Sequence, residues 1–422
     1  MKAVNDIRDM LGRKKLVTVD EAVRIVREGL AAIRVNTEII ALNDSLDRVS
    51  AAPILSPEDL PPHPRSTMDG FAVQSRDTFG ASPSMPGYLH VTGEIRMGEN
   101  PRTPVERGNC QRIATGGLLP PGSDAVLMLE HTVAVDKTMI EVTKGVSPGA
   151  NVIQDGEDIG LQEQALDAGH LLRPQDLGLL AGLGIMEVTV FRGVRVGILS
   201  TGDEIVPCSE TPPPGKIRDV NSIALKAQAL RAGAQVTPYP IISDRQDVFL
   251  KYVEQAAREN DLVLFSGGSS VGARDFGELV IESLGSPGVL VHGVALKPGK
   301  PVIFGLCGKT PVFGLPGHPV SAMVCFDLFV KPAIHLIGGL KAPALPSPSV
   351  SGRLQRSLNS APGRRDLVRV RLVREDDEWL VDPVLGKSGS ISTLSRAHGY
   401  LMIEESCQGL ALDETVEVFL FT

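Results

Sequence analysis

Residues 261–276, Asp261-Leu-Val-Leu-Phe-Ser-Gly-Gly-Ser-Ser-Val-Gly-Ala-Arg-Asp-Phe276, constrain the fold more than any other stretch. The apolar run from Leu262 to Phe265 reads as a buried strand. It empties into a loop of glycines and serines, and Asp275 stands just before the next expected helix. Strand, glycine-rich turn and helix in that order mark a parallel α/β unit. Glycines let backbone N–H groups converge on an anion, and a helix N-terminus adds positive partial charge. A carboxylate beside such a loop repels a bare phosphate, but it can hold a divalent cation that the phosphate also binds. The stretch therefore predicts a Mg²⁺–phosphate site at the carboxyl end of a parallel sheet.

The surrounding pattern agrees. A strand is expected at 194–199, a helix at 221–232, a strand ending at Ile242, and a helix around 247–259. Beyond the loop come a helix at 276–284, strands near 289–295 and 301–305, and a long helix over about 318–337. Such alternation argues for a parallel sheet with helices on both faces.

Elsewhere the texture differs. Thr18-Val-Asp-Glu21 is a capping-box pattern before Ala22, Val23, Ile25, Val26, Leu30 and Ile33, so an amphipathic helix is expected over about 18–33. From Leu46 to Ile153 short apolar runs alternate with Pro, Gly, Asp and Asn, as in a β-rich module. Pro174–Gly184 reads as a short helix closed by glycine. The proline-rich stretch Lys341-Ala-Pro-Ala-Leu-Pro-Ser-Pro-Ser349 reads as a linker to a small C-terminal β domain.

Further loops carry chemistry. Ser200-Thr-Gly-Asp-Glu204 follows a strand; Thr201 and Gly202 can donate to a phosphate or ribose, and Asp203 and Glu204 can orient a metal or hydroxyl. Read alone, it is also an Asx-type turn. Lys297-Pro-Gly-Lys300 holds two ammonium groups on a stiff turn, a costly arrangement unless an anion sits between them. On an ordinary surface such lysines are simply solvated. Pro316-Gly-His-Pro319 opens the last long helix, so His318 is either a ligand donor or a helix cap. In the β module, Ser66-Thr-Met-Asp-Gly-Phe-Ala72 exposes hydroxyls and the carboxylate of Asp69, and Arg112–Ala125 is Gly-rich with Thr115 at a strand end. Each segment alone is a plain turn more often than a site.

Composition narrows the function. A net charge of −8, from 42 basic and 50 acidic residues, disfavours general nucleic-acid binding, so any anionic ligand needs a local cluster of donors. Aromatic residues are 4% with a single tryptophan, Trp379, which leaves little for base stacking. The five cysteines are scattered without CxxC spacing, which fits reduced thiols in a cytoplasmic protein and argues against zinc. The first ten residues carry acids where a signal peptide has an apolar core. No apolar run approaches the ~20 residues of a membrane span.

Taken together and in order, these motifs resemble the molybdopterin molybdenumtransferase family, and also the E domain of gephyrin. The resemblance covers about residues 15–420. It implies a multidomain α/β plus β architecture: an elongated mixed domain (1–44 and 156–190), an inserted β-rich domain (45–155), a parallel α/β sandwich domain of molybdopterin-binding type (191–338) and a C-terminal β-barrel (339–422). It also implies a homodimer with shared active sites, in which the Asp69 motif approaches the partner's α/β domain, and contact with other molybdenum cofactor biosynthesis proteins.

The implied reaction inserts molybdate into adenylylated molybdopterin, with Mg²⁺-dependent release of AMP. Catalytic roles then fall to Asp69, Glu204, Lys297, Lys300 and Asp275, the lysines trapping the dianion. Asp244 and Asp275 match the Mg²⁺ positions. Gly267, Gly268, Ser269 and Ser270 line the phosphate loop, and Ser66, Thr115, Thr201, Gly202 and Asp203 supply further polar contacts. Pro316, Gly317, His318 and Pro319 form the last loop, and Arg364, Arg369 and Ser388 face molybdate from the C-terminal domain. The chain departs from the family in three places: His318 and His398 stand where Asn is usual, and Ser269 where Val is usual.

Two other readings compete. The α/β domain alone resembles molybdopterin adenylyltransferase and the competence-damage-protein nucleotide hydrolases, but the former favours Thr-Gly-Gly-Thr-Gly where Ser266–Gly272 stands here, and neither carries the Ser66–Ala72 module or the barrel. A non-enzymatic scaffold, as the gephyrin E domain also is, would not need Asp69, Asp275 and Lys297. Neither reading favours nucleic acid or a membrane as partner.

Overall fold

The computed structural model describes residues 16–267, 273–341 and 348–421, without the side chains of 273–276. The expectations for Gly268, Ser269, Ser270 and the Asp275 side chain lie outside the described residues.

Helix α1 (Val19–Leu30) starts where the capping box places it: Thr18 Oγ1 accepts the Glu21 N–H at 3.2 Å. Its buried face is Val19, Ala22, Val26 and Leu30, each Val or Leu contributing roughly 2 kcal/mol on burial. That face packs into the core of the α/β unit, against Phe304, Phe326 and Ile337 among others. Strand β1 (Thr37–Ala41) then pairs antiparallel with Glu187–Phe191. Pairing of the two chain segments continues outward through Ile54–Leu55 with Gln164–Leu166, the Leu60–Ile159 bridge, and Arg65–Ser66 with Val152–Ile153.

The insert is a six-stranded sheet. Its strands are β2 (Gly70–Val73), β3 (Gly87–Ile95), β4 (Asn109–Ile113), β5 (Ala125–Met128), β6 (Thr132–Ala134) and β7 (Met139–Val142), in the order β5-β2-β4-β3-β7-β6. Its core, including Phe71, Leu89, Leu127 and Ile140, is separate from the others. Helix α2 (Pro174–Gly182) and strand β8 (Glu187–Phe191) complete the two-segment unit.

The α/β unit runs β9 (Arg195–Thr201), α3 (Asn221–Arg231), β10 (Gln235–Ile242), α4 (Gln246–Glu259), β11 (Leu262–Gly267), α5 (Ala273–Ser283), β12 (Pro287–His292), β13 (Leu296–Lys297), β14 (Ile303–Cys307) and β15 (Thr310–Leu315). The sheet order is β10-β9-β11-β15-β14-β12. The first four strands are parallel, as expected. Strand β15 was not expected, and β14 runs antiparallel to it, so the far edge of the sheet is mixed. A turn at Gly308 (φ +64°) and Lys309 joins these two strands as a hairpin.

The long helix is α6 (Pro319–Cys325), a π-helical segment (Phe326–Val330) and α7 (Lys331–Ile337). Contrary to expectation, this stretch of 19 residues is long and apolar enough to cross a membrane. It is the core helix of the α/β unit instead: Phe326, Phe329, Val330, Ala333, Ile334 and Ile337 are buried in the main cluster.

The C-terminal unit has strands β16 (Ser349–Leu354), β17 (Arg365–Glu375) and β18 (Glu378–Pro383), helix α8 (Ser392–Ser395), and strands β19 (Gly399–Ile403) and β20 (Thr415–Leu420). The order β17-β18-β16-β20-β19, with β19 pairing back to β17, closes a five-stranded barrel. Strand β13 of the α/β unit adds in parallel to β17, Leu296 opposite Arg365 and Lys297 opposite Asp366.

Candidate functional site

The turn after β9 is built by three hydrogen bonds, one to a carbonyl and two to carboxylates. Gly202 N–H donates to the Ile242 carbonyl at 3.1 Å, Thr201 Oγ1 donates to Asp244 Oδ1 at 3.0 Å, and Asp244 N–H donates to Asp203 Oδ1 at 3.1 Å. Lys216 Nζ closes the turn on the Asp203 carbonyl. Thr201 thus sits beside the C-terminal end of β11, opposite Gly267. Gly267 has φ +124°, and a Cβ there would lie 1.9 Å from the Thr201 carbonyl oxygen. Only glycine lets the two strand ends approach this closely. Thr201, Gly202, Asp203, Asp244 and Gly267 are therefore one cluster, with the Glu204 carboxylate folded over Gly202.

A hydrogen-bonded chain runs from this cluster to the C-terminal unit. Ser200 Oγ donates to Asp219 Oδ1 at 3.0 Å, and the same oxygen accepts the Ser222 N–H at the start of α3. Next to it, Asn221 Nδ2 donates to the Gly317 carbonyl at 2.8 Å. His318 Nδ1 lies 3.0 Å from Ser388 Oγ, and the Val320 N–H donates to the Ser388 carbonyl. Pro316, Gly317, His318 and Pro319 are thereby joined to Ser388. Two residues further back, the Gly386 carbonyl accepts from Arg369 at 2.9 Å. Arg369 is buried, which pulls its pKa down, and among the described residues its Nε has no partner. Among the described residues Ser266 Oγ and Asn221 Oδ1 are also buried without partners.

Lys297 and Arg364 meet at a residue that the sequence analysis did not single out. Asp366 Oδ1 accepts from Arg364 Nε at 2.9 Å, and Asp366 Oδ2 lies 3.4 Å from Lys297 Nζ. Lys300 stands three residues on, its carbonyl accepting the Val294 N–H at 2.9 Å. Asp219, Asn221 and Asp366 carried no motif signal; the partners that tie them into the site, Ser200, Gly317 and Lys297, are 19, 96 and 69 residues away.

The Asp69 turn is a separate cluster within the insert. Thr115 donates to Asp69 Oδ1 through its N–H and its Oγ1, and these bonds hold the exposed carboxyl below the usual carboxylate range. Ser66 exchanges backbone hydrogen bonds with the 116–117 turn. A Cβ on Gly70 would lie 2.0 Å from the Leu127 carbonyl oxygen, so the turn is pressed onto β5.

Asp203, Glu204 and Asp244 offer the hard oxygens that Mg²⁺ takes. No three acidic, His or Cys side chains converge on one point among the described residues. Mg²⁺ commonly takes only one or two protein carboxylates and completes its shell with water and phosphate oxygens. A cavity of about 830 Å³ lies elsewhere, between α1, α3, α6–α7 and the C-terminal unit, and is lined by none of these residues.

Residues 197–336 match the family model described as "Probable molybdopterin binding domain", which sets the α/β unit in the class of molybdopterin-binding domains. The flanking units match the MoeA N-terminal region, domains I and II, over residues 17–184, and the MoeA C-terminal region, domain IV, over 351–421. Molybdopterin molybdenumtransferase of Haemophilus influenzae is 33% identical over 406 residues, covering 96% of this chain and 98% of that one. The Bacillus subtilis enzyme of the same name is 33% identical over 419 residues, covering 97% and 95%. The crystal structure of the molybdopterin biosynthesis MoeA protein from Pyrococcus horikoshii OT3 superposes with a TM-score of 0.83 at 31% identity, covering 96% of this chain and all of that one. The chain belongs to the MoeA family, the molybdopterin molybdenumtransferases of molybdenum cofactor biosynthesis.

Proposed function

We propose that the protein inserts molybdate into adenylylated molybdopterin and releases AMP with Mg²⁺. The observation that carries this reading is a pair of cations on an acidic protein. Lys297 and Arg364 meet at the seam of β13 and β17 in a chain of net charge −8, and Arg369 lies further along β17. Molybdate is a dianion, and only local positive charge can concentrate it there. Guanidinium groups add paired donors suited to an oxyanion. The partnerless Ser266 Oγ and Asn221 Oδ1 favour a polar ligand at the adjoining strand ends, since buried polar atoms otherwise find partners.

In this reading Gly267 and the loop after it bind the phosphates, Thr201 and Asp203 orient the nucleotide or pterin side, and Glu204 works beside them. Lys297 and Lys300 hold molybdate, with Arg364, Arg369 and Ser388 completing its surroundings. Asp244 and Asp275 would hold Mg²⁺, which supplies charge neutralisation at the cleaving phosphates. The active species is a homodimer in a cytoplasmic setting, and Ser66, Asp69 and Thr115 of one protomer serve the site of the other.

The decisive experiment incubates purified protein with adenylylated molybdopterin and Mg²⁺, with and without molybdate, and measures AMP. Molybdate-dependent AMP release is expected, and its absence defeats the reading. Supplying molybdopterin with ATP instead separates the adenylyltransferase alternative, which alone yields adenylylated product. Sedimentation velocity tests the dimer. A scaffold would leave AMP release absent while the dimer persisted.

A further inference from the structure

We infer that Asp366 is a positioning residue for the anion trap, resting on the molybdate reading above. It sets Lys297 and Arg364 in a single geometry across the seam between the α/β unit and the C-terminal barrel. Its side chain is only 4% exposed, whereas Lys297 is 56% and Arg364 34% exposed. The carboxylate is thus the buried floor, and the two cations reach outward from it. Arg364 contributes Nε to Oδ1 at 2.9 Å and its terminal nitrogen to Oδ2 at 3.4 Å, while Lys297 Nζ lies 3.4 Å from Oδ2.

The backbone reinforces the arrangement. Lys297 is the register partner of Asp366, and Arg365 N–H donates to the Ala295 carbonyl at 2.9 Å. On its other side Asp366 is opposite Ile403 of β19. The Asp366 backbone is therefore held between two strands, and its carboxylate is buried at the seam. Two cations brought this close repel each other, and a fixed carboxylate between them removes that repulsion while leaving net positive charge facing outward.

A bland alternative makes the opposite prediction. If Asp366 only neutralised charge, it would weaken the attraction for a dianion. Asp366→Asn raises the local charge by one and keeps the volume and an acceptor for Arg364. Pure neutralisation therefore predicts tighter oxyanion binding in this variant. Positioning predicts weaker binding, because Lys297 and Arg364 lose their common anchor. Asp366→Glu separates the two again: it preserves charge but shifts the carboxylate by one methylene. Neutralisation predicts wild-type affinity there, and positioning predicts a loss.

The test titrates full-length wild type, Asp366→Asn and Asp366→Glu with tungstate by calorimetry, and measures KM for molybdate and kcat by AMP release. Thermal midpoints identify a variant that fails to fold, in which case the other variant decides. Expected is about tenfold weaker tungstate binding and a matching rise in KM for both folded variants, with kcat at saturating molybdate within about twofold of wild type. Wild-type or tighter binding in a folded variant overturns the role of Asp366 and leaves the molybdate reading standing. A wild-type protein that binds no tungstate and releases no AMP overturns the molybdate reading itself.

Discussion

Thr115 grips one carboxylate oxygen of Asp69 twice, with its backbone N–H at 2.7 Å and its Oγ1 at 2.9 Å. The pair joins two loops that are 46 residues apart and fixes the direction of an exposed acid. Both bonds favour the ionised carboxyl, and the charge of Arg112 adds to them.

Thr115→Val keeps the backbone donor and removes the hydroxyl. The Asp69 titration midpoint, followed by carboxyl-carbon NMR, lies below 3.8 in the wild type and rises toward it in the variant. A depressed folded-state pKa stabilises the fold above the unfolded value and loses that contribution as pH falls through the folded value. The variant is therefore less sensitive to acid at this one turn. An unchanged midpoint would rule out the hydroxyl as a cause.

In the proposed reading Asp244 has two separable duties. Asn at this position retains an oxygen for Thr201 Oγ1 but gives up the charge that a metal needs. Asp244→Asn is expected to raise the Mg²⁺ concentration for half-maximal AMP release about tenfold or more, with little change in thermal midpoint. Asp244→Ala removes both contacts, so its thermal midpoint falls as well. Equal Mg²⁺ dependence in wild type and Asn variant would assign Asp244 to the turn alone.

Gly267→Ala sets a methyl group 1.9 Å from the Thr201 carbonyl oxygen, in a backbone conformation that alanine avoids. The strand ends must part, at a cost of about 3 kcal/mol or more. Urea unfolding reads this as a lower midpoint. The substitution also separates Thr201 from the glycine-rich loop, so AMP release falls in parallel.

Thiol labelling distinguishes the cysteines by environment. Burial pushes Cys110 up to about 12 and Cys307 up to about 11, and raises Cys325 further still. Cys208 is exposed. At pH 8 an aromatic disulfide reagent should label Cys208 first, and reach Cys110 and Cys325 only after unfolding. Rapid labelling of Cys325 in native protein would contradict its burial behind Gly299.

The sequence carried the α/β unit well where the signals were local. Thr18 marked the start of α1, and the run Leu262–Phe265 marked the central strand. Strand β15 escaped because Pro311 and Gly314 break its apolar run, although the Gly308-Lys309 turn before it is a hairpin signal. The packing of α1 onto the α/β core was not legible either: amphipathic spacing tells which face is buried, and not against what. In the site, the Thr201, Lys297 and His318 loops could be read from glycine and proline punctuation. Asp366 could not, because its significance lies in a partner 69 residues away across a strand pairing.

The pairing of β1 with β8 dictates the order in which the nascent chain matures. Thr37–Ala41 has no partner until Glu187–Phe191 has been synthesised, some 146 residues later. At ordinary ribosomal speed that interval is roughly seven to thirty seconds. The insert between them, with its own core around Leu89 and Leu127, has all six strands of its sheet by residue 142 and the Val152–Ile153 strand soon after, so it can fold during the wait. Translation therefore delivers a finished Asp69 turn before the Thr201–Gly267 cluster has begun to assemble.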